Sequence, residues 1–180
     1  MKISNLMKVV ALSTFATTGS LMSAVAAPFP DWHLWRPVQA PTQRTYQVTA
    51  SRQSLEQSVL TQINQHRRSR RLPPLTLDSR ISTQAQAHSQ AMASGRVPFS
   101  HNGFQQRVQV IARSIPYAGA AENVAYNIGH QDPATQAVQG WLKSSGHRKN
   151  IEGNYDLTGI GVAQNSKGQY YFTQIFIKRR

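Results

Sequence analysis

The chain has 180 residues, no cysteine, and 20 Lys and Arg against 7 Asp and Glu, which gives a formal net charge of +13. The lack of cysteine excludes a disulfide framework, so the core and hydrogen bonds must suffice. The charge favours anionic partners or surfaces through long-range attraction. Nucleic-acid binding is not expected, because the sequence lacks a recognised module and any interleaving of aromatic with basic residues.

The beginning of the chain has the pattern of a secretory signal peptide. Lys2 and Lys8 precede an apolar stretch from Val9 to Leu21, and small residues follow from Ser23 to Ala27. This order of charged, apolar and small residues directs export. We therefore expect cleavage near Ala26 and a secreted or periplasmic protein, and no later stretch is long and apolar enough to span a bilayer.

The sequence divides into a signal peptide (residues 1–26), a Pro-rich linker or arm (27–53) and a globular domain (54–180). The arm carries four of the nine prolines together with Trp32 and Trp35, and it shows neither a helical nor a strand period. About 150 mature residues suffice for one domain with a sizeable core. We expect a monomer.

The first predicted helix begins at a capping box formed by Ser54 and Gln57. It ends in a cluster of four arginines, at positions 67, 68, 70 and 71. Cations in a last helical turn complement the helix macrodipole. We interpret the cluster as a solvated helix end, with an anion-binding patch as the alternative.

Two further helices are predicted before residue 113. The second runs from Asp78 as N-cap to Ser94 and stops at Gly95. His88 lies on its apolar face, so we interpret it as a core histidine rather than a ligand. A short helix is predicted over Phe104–Ala112.

The fourth predicted helix starts at the Asp132-Pro133 pair, an N-cap and first-turn signal. Gly146 is expected to end it as a left-handed C-cap residue, because glycine lacks the Cβ that makes this conformation costly. His147 is then the first residue after the helix, where an imidazole can project into a cleft.

The end of the chain changes to a period of two, which is typical of strands. Alternating residues at 160–162 and 170–177 flank a turn at 165–168, and this pattern predicts a hairpin. A third strand around residues 122–126 would complete a small antiparallel sheet. The fold class is therefore α+β, with the sheet between helices.

Three polar motifs carry the candidate chemistry: one around His101, one around Glu122, and one from Ser144 to His147. Neutral imidazoles are good ligands for Zn²⁺ or another divalent metal, and a glutamate can orient a ring or ligate through oxygen. A metalloprotease is not indicated, because no His-Glu-x-x-His motif is present. A nucleophile system of Ser144, His147 and Glu122 is less favoured, because no nucleophile elbow is present and Ser144 falls in the last turn of the predicted helix. A polar network that closes the cleft without turnover is the remaining interpretation.

The order of these motifs resembles the CAP superfamily of cysteine-rich secretory, antigen 5 and pathogenesis-related proteins (the SCP domain), and most of all its cysteine-free bacterial members. The matching residues lie between Leu55 and Phe176, and they are Asn64, Arg67, Leu72-Pro73-Pro74-Leu75, Ala85-Gln86-Ala87-His88, Ser100-His101, Ala121-Glu122-Asn123-Val124-Ala125, Trp141, Ser144, Gly146-His147-Arg148, Asn150-Ile151, Tyr155, Gly159-Ile160-Gly161-Val162 and Tyr171-Phe172-Thr173-Gln174. The resemblance implies an α-β-α sandwich with a central antiparallel sheet. It also implies a cleft with two histidines and two acids that can bind a divalent metal, and sterol or lipid binding as an activity.

In that pattern His101 and His147 match the two histidines and Glu122 the first acid, while Ser144 stands where the second acid would be. We therefore expect a ligand-binding cleft of these four residues, in which His101 and His147 bind Zn²⁺ or another divalent metal weakly. The predicted function is non-enzymatic binding of a small or apolar ligand, including a lipid or sterol, or of an anionic envelope component. The alternative is a hydrolase that uses His101, Glu122 and His147, with Glu122 and His147 as the catalytic pair.

The export pattern gives a direct prediction. Protein recovered from the periplasm or the medium should have an N-terminus close to Ala27, because Ala24 and Ala26 supply the small residues before the cut bond. N-terminal sequencing measures this. A soluble cytoplasmic pool that retains Met1 would contradict it.

Overall fold

The computed structural model of the protein describes residues 43–180, with side chains from residue 51 onward. The predicted signal peptide, and the arm up to residue 42 with its two tryptophans, lie outside the described residues.

The described residues form five helices and four strands. The helices are α1 (Gln43–Ser69), α2 (Ser79–Ala93), α3 (Phe104–Ala112), α4 (Pro133–Lys143) and α5 (Ser145–Ile151). The strands are β1 (Thr76–Leu77), β2 (Tyr117–Asn127), β3 (Leu157–Gln164) and β4 (Tyr170–Arg179). Within this part of the chain, no helix has the length and hydropathy needed to cross a membrane.

The four strands form one sheet in the order β1-β3-β4-β2. The predicted hairpin is β3–β4, and the predicted third strand is β2, which pairs antiparallel with β4. β1 adds two residue pairs parallel to β3, so the sheet is mixed rather than wholly antiparallel. This short strand escaped prediction because two residues are too few to show a period.

Helices cover both faces of the sheet, which confirms the predicted α-β-α sandwich. A hydrophobic core lies on each face of the sheet, and β4 contributes to both, because successive side chains of a strand point to opposite faces. Phe172 and Phe176 pack with residues of α1, α4 and α5, whereas Ile175 and Ile177 pack with residues of α2 and α3.

α2 lies against β3 at a distance that only glycine permits. A Cβ on Gly159 or Gly161 would come well within 3.0 Å of α2 backbone atoms, closer than real Cβ atoms approach. From this position Ser82 Oγ and Gln86 Oε1 accept hydrogen bonds from two outer N–H groups of β3, at 3.3 and 2.9 Å. Helix side chains thus close the outer edge of β3 at these two residues.

The opposite edge of the sheet, β2, is also closed by side chains. Trp141, buried in α4, donates from Nε1 to the Val124 carbonyl oxygen at 3.0 Å. Asn150 of α5 donates from Nδ2 to the Glu122 carbonyl oxygen at 3.3 Å. Because strand carbonyls with a period of two share one edge, both bonds fall on the side of β2 away from β4.

The predicted start of the first helix is wrong. α1 begins at Gln43, and it includes residues 43–53 that the sequence assigned to the arm. Ser54 is therefore not an N-cap, and its Oγ donates instead to the Ser51 carbonyl oxygen at 2.7 Å. Since no Gly or Pro occurs between Pro41 and Pro73, nothing in the chain interrupts the helix upstream of the apparent capping box.

The second and third helices match their predictions. Asp78 Oδ1 caps α2 by accepting from the Arg80 N–H at 2.9 Å, and α3 has the predicted bounds. His88 is buried, and its Nε2 donates to the Ser100 carbonyl oxygen at 2.8 Å. Burial lowers the pKa of His88, which favours the neutral ring expected of a core histidine.

The predicted role of Gly146 is wrong. α4 ends at Lys143, and Ser144 has extended backbone angles (φ −87°, ψ 123°). The chain then starts α5, since the Arg148 N–H donates to the Ser144 carbonyl oxygen at 2.9 Å. Gly146 and His147 therefore lie inside a second short helix, and a left-handed cap is not needed.

Arg67 was predicted to be a solvated residue at the end of α1. Its side chain is instead buried, and its hydrogen bonds join α1 to two other segments of the chain. It is 1% exposed, and its guanidinium donates to the carbonyl oxygens of Pro73 (2.8 Å), Ile151 (2.7 Å) and Gly153 (2.9 Å). Burial lowers its pKa. The other three arginines of the cluster are exposed, so the predicted solvated character holds for them alone.

Arg67 should therefore be a major determinant of stability. We expect Arg67→Met to lower the free energy of unfolding by about 3 kcal/mol or more, because buried carbonyl groups lose their donors. Arg68→Met, one residue further along and exposed, is the matched control and should change it by less than about 0.5 kcal/mol. Urea denaturation measures both, and similar losses in the two variants would contradict this role.

Candidate ligand-binding cleft

Glu122 is the centre of the candidate site. It lies on β2, and its side chain is only 1% exposed. Strand alternation points it to the α2–α3 face of the sheet. A buried carboxylate is costly unless it is paired and hydrogen-bonded.

Arg107 of α3 supplies that pairing. Its Nε donates to Glu122 Oε2 at 2.9 Å, and its Nη2 lies 2.8 and 2.7 Å from Oε1 and Oε2. Its Nη1 donates to the Asn102 carbonyl oxygen at 2.9 Å, and the side chain is 10% exposed. This fork geometry is the strong form of a charge-assisted pair.

His101 shares the same carboxylate. Its Nδ1 lies 3.0 Å from Glu122 Oε1, and half of its side chain is exposed. Because a carboxylate oxygen only accepts, Nδ1 is the donor, and Nε2 is the ring nitrogen left for a ligand. Gly103, with φ +79°, turns the intervening chain into α3.

His147 approaches β2 from the other layer. Its carbonyl oxygen accepts from Asn123 Nδ2 at 3.1 Å, and Asn123 Oδ1 accepts from Asn150 Nδ2 at 2.9 Å. This amide pair fastens α5 to the strand. Burial, and secondarily the charge of His101, lower the pKa of His147, so its ring stays neutral near pH 7.

The three residues weighed as a nucleophile system, Ser144, His147 and Glu122, are not linked by side-chain hydrogen bonds among the described residues. Ser144 is the joint between α4 and α5, where its backbone N–H donates to the Gly140 carbonyl oxygen at 3.2 Å. Its hydroxyl makes no capping bond. Among the described residues, no hydrogen bond joins that hydroxyl to His147 or Glu122.

Of the predicted site residues, only the two histidines remain as candidate metal ligands. Within residues 43–180, no group of three or more His, Cys, Asp or Glu side chains is placed to hold a metal ion. Both Glu122 oxygens are occupied, so ligation through oxygen is disfavoured. Glu152 pairs with His66 at 2.8 Å and with Arg70 at 3.3 Å, and so does not replace the missing acid.

Arg107 is the functional residue that the sequence analysis missed. One pattern in the sequence indicates it: Arg107 lies in the predicted third helix, on the inward face with Phe104, Val108 and Ile111. A cation on an apolar face requires a buried acid, and Glu122 was the acid already singled out.

An aromatic patch lies on the same face of the sheet as Glu122. We use this name for Phe99, Tyr126 and Tyr171. The ring centroids of Phe99 and Tyr126 are 5.1 Å apart, and those of Tyr126 and Tyr171 are 6.0 Å apart. Phe99 and Tyr126 are about half exposed. Exposed aromatic clusters mark interaction surfaces.

Known proteins resemble the chain over most of its globular part. The family model for the cysteine-rich secretory protein family (CAP) matches residues 60–176. The uncharacterized protein YkwD of Bacillus subtilis is 33% identical over 139 residues, which are 76% of this chain and 52% of that protein. The uncharacterized membrane protein YlbC of the same organism is 36% identical over 129 residues, which are 69% of this chain and 34% of that protein. The chain thus spans about half of one of these relatives and a third of the other.

Solved structures agree. An extracellular protein with an SCP domain from Bacillus anthracis superposes with a TM-score of 0.60 at 28% identity, over 78% of this chain and 45% of that one. An outer surface protein of Borrelia burgdorferi gives a TM-score of 0.61 at 20% identity, over 71% and 94% of the two chains, and so shares the fold. The matched family model, the relatives and the sandwich together confirm the resemblance found in the sequence: this chain belongs to the CAP family of cysteine-rich secretory proteins.

Proposed function

We propose that the chain is a non-enzymatic binding protein whose cleft lies along the β2 edge, between His101 and His147. The observation that carries this proposal is the saturation of Glu122. A general base needs a carboxylate oxygen within reach of the substrate proton. The oxygens of Glu122 are buried and held by Arg107 and His101, so the carboxylate acts as a positioning group.

The surface around the cleft favours a ligand with a polar and an apolar part. His101 offers a free ring nitrogen and His147 a neutral ring, which suit a polar head. The aromatic patch, on the same face of the sheet as Glu122, offers apolar ring faces. This combination of a few polar groups with aromatic walls is common in small-molecule sites, and it supports a small or apolar ligand such as a lipid or sterol.

The charge distribution favours an anionic envelope surface. All six acidic side chains of the described residues are already engaged: Glu56 with Arg52, Asp78 with Arg80, Glu122 with Arg107, Asp132 with Thr135, Glu152 with His66 and Asp156 with Arg179. Exposed cations such as Arg68, Arg71 and Lys149 have no acidic partner in this part of the chain. The predicted signal peptide supports the same location, as does the similarity to a Bacillus anthracis protein that is extracellular.

The binding function and the hydrolase alternative predict different results with pure protein. We expect no turnover of protease, esterase or peptidoglycan substrates. We also expect the anionic naphthalene dye ANS to bind, and Tyr126→Ala to weaken it several-fold through loss of ring contact. Leu77→Ala, at an exposed apolar residue outside the patch, is the matched control. Fluorescence titration measures binding, and circular dichroism checks the fold.

Two results would contradict the binding function. One is hydrolysis that follows the protein through purification and vanishes in His147→Ala. The other is equal loss of dye binding in Tyr126→Ala and Leu77→Ala, which would show that the aromatic patch is not the binding surface.

We further propose that the cleft binds Zn²⁺ or another divalent ion weakly. His101 would ligate through Nε2, with Glu122 fixing the ring through Nδ1, and His147 would supply the second imidazole. A bound ion would supply a positive centre for an anionic group of the ligand. Two protein ligands are fewer than the four of structural zinc sites, so the ion would not hold the fold together.

Calorimetric titration with zinc tests this set of ligands. We expect His101→Ala and His147→Ala each to lower the affinity at least tenfold, while His130→Ala, at an exposed histidine outside the cleft, leaves it unchanged. Because ligating rings must be neutral and the pKa of His147 is lowered, binding should persist near pH 7 and be lost as the pH falls below the ordinary histidine range. Equal affinity in all variants would exclude these ligands, and unfolding by chelator would show a structural metal instead.

A further inference from the structure

A groove lies at the opposite edge of the sheet from the candidate cleft. It has a volume of about 740 Å³ and is lined by residues of α1, the end of α2 and the β3–β4 turn. This size is within the range of ligand sites. None of the cleft residues lines it. We propose that this groove binds a short, extended peptide segment that carries a carboxylate.

The first argument is the open strand edge. β1 pairs only with Leu157 and Thr158 of β3, and α2 side chains take the next two outer N–H groups, those of Ile160 and Val162. The period of two places the N–H and C=O of Gln164 on the same outer edge, where Gln164 lines the groove. Neither group is bonded to a helix side chain of the described residues. An extended peptide can add to such an edge by main-chain hydrogen bonds.

The second argument is charge. Arg52 and Lys167 line the groove, and none of its described lining residues is Asp or Glu. Among the described residues, the ion-pair partner of Arg52 is Glu56, at a long N–O distance of 3.8 Å. Lys167 is fixed at the turn, since its N–H donates to Asn165 Oδ1 at 3.0 Å. Two cations that have a single acidic partner between them in this part of the chain favour a ligand with a carboxylate.

The third argument is the rest of the lining. Gln90 and Gln164 supply side-chain amides that both donate and accept, as a peptide backbone requires. Leu55, Ala163 and Tyr170 supply apolar surface for a small side chain. An acidic peptide can use all three features: its backbone pairs with β3 and with the glutamine amides, and its carboxylate pairs with the cations.

The groove and the cleft are independent. The groove lies on the outer edge of β3, and the cleft lies along β2, with β4 between them. Failure of the binding function proposed for the cleft would leave this inference standing, and the reverse also holds.

The test uses the full chain and a fluorescein-labelled peptide of alternating valine and glutamate, five residues long, with blocked ends. Its partner probe has glutamine in place of glutamate. We expect the acidic peptide to bind more tightly. Lys167→Gln and Arg52→Gln should each weaken it about two- to fivefold, as expected for exposed ion pairs. Lys149→Gln, which removes the same charge elsewhere on the surface, should leave binding unchanged.

Two further measurements separate edge pairing from simple attraction. N-methylation of alternate peptide amides should abolish binding, because it removes the donors that pair with β3. Amide chemical shifts should move at Gln90 and Gln164 and not at Glu122. Equal binding of the acidic and neutral peptides, an equal effect of Lys149→Gln, full binding of the methylated peptide, or shifts confined to the β2 edge would each overturn the proposal.

Discussion

The buried pair between Arg107 and Glu122 is the interaction on which the candidate site depends. A carboxylate taken out of water loses several kcal/mol of hydration, and it regains this only through close, well-aligned donors. Those donors come from α3, and the same carboxylate holds His101 in the preceding loop. One acid on an edge strand therefore fixes a helix, a loop and the orientation of an imidazole ring.

The same strand organises the other half of the cleft with uncharged groups. Asn123, the next residue along β2, points to the opposite layer and joins α5 through Asn150 and the carbonyl oxygen of His147. The ring of His101 and the backbone of His147 are thus held by adjacent residues of one strand, although the two histidines are far apart in the sequence. Such pre-organisation favours recognition, because little ordering remains to be done when a ligand binds.

Much of this architecture could be predicted from local patterns. The hairpin, α2 and α3 follow from their periods and caps, and the family pattern supplied the histidines and Glu122. Gly146 was misassigned because the next helix begins at once, at Ser145, and glycine alone does not show whether a helix ends or a new one begins. Arg67 and Arg107 were missed because their partners are distant in sequence. Local rules treat such cations as solvated, and only the fold shows that they are buried.

Side chains occupy part of both edges of the sheet, beyond the two residue pairs that β1 makes with β3. Ser82 and Gln86 accept from two outer N–H groups of β3, and Trp141 and Asn150 donate to two outer carbonyl groups of β2. An open ladder of N–H and C=O groups is a template on which other chains polymerise. Each of these four side chains occupies one main-chain group of an edge, so fewer groups are left for strand pairing between copies of the domain.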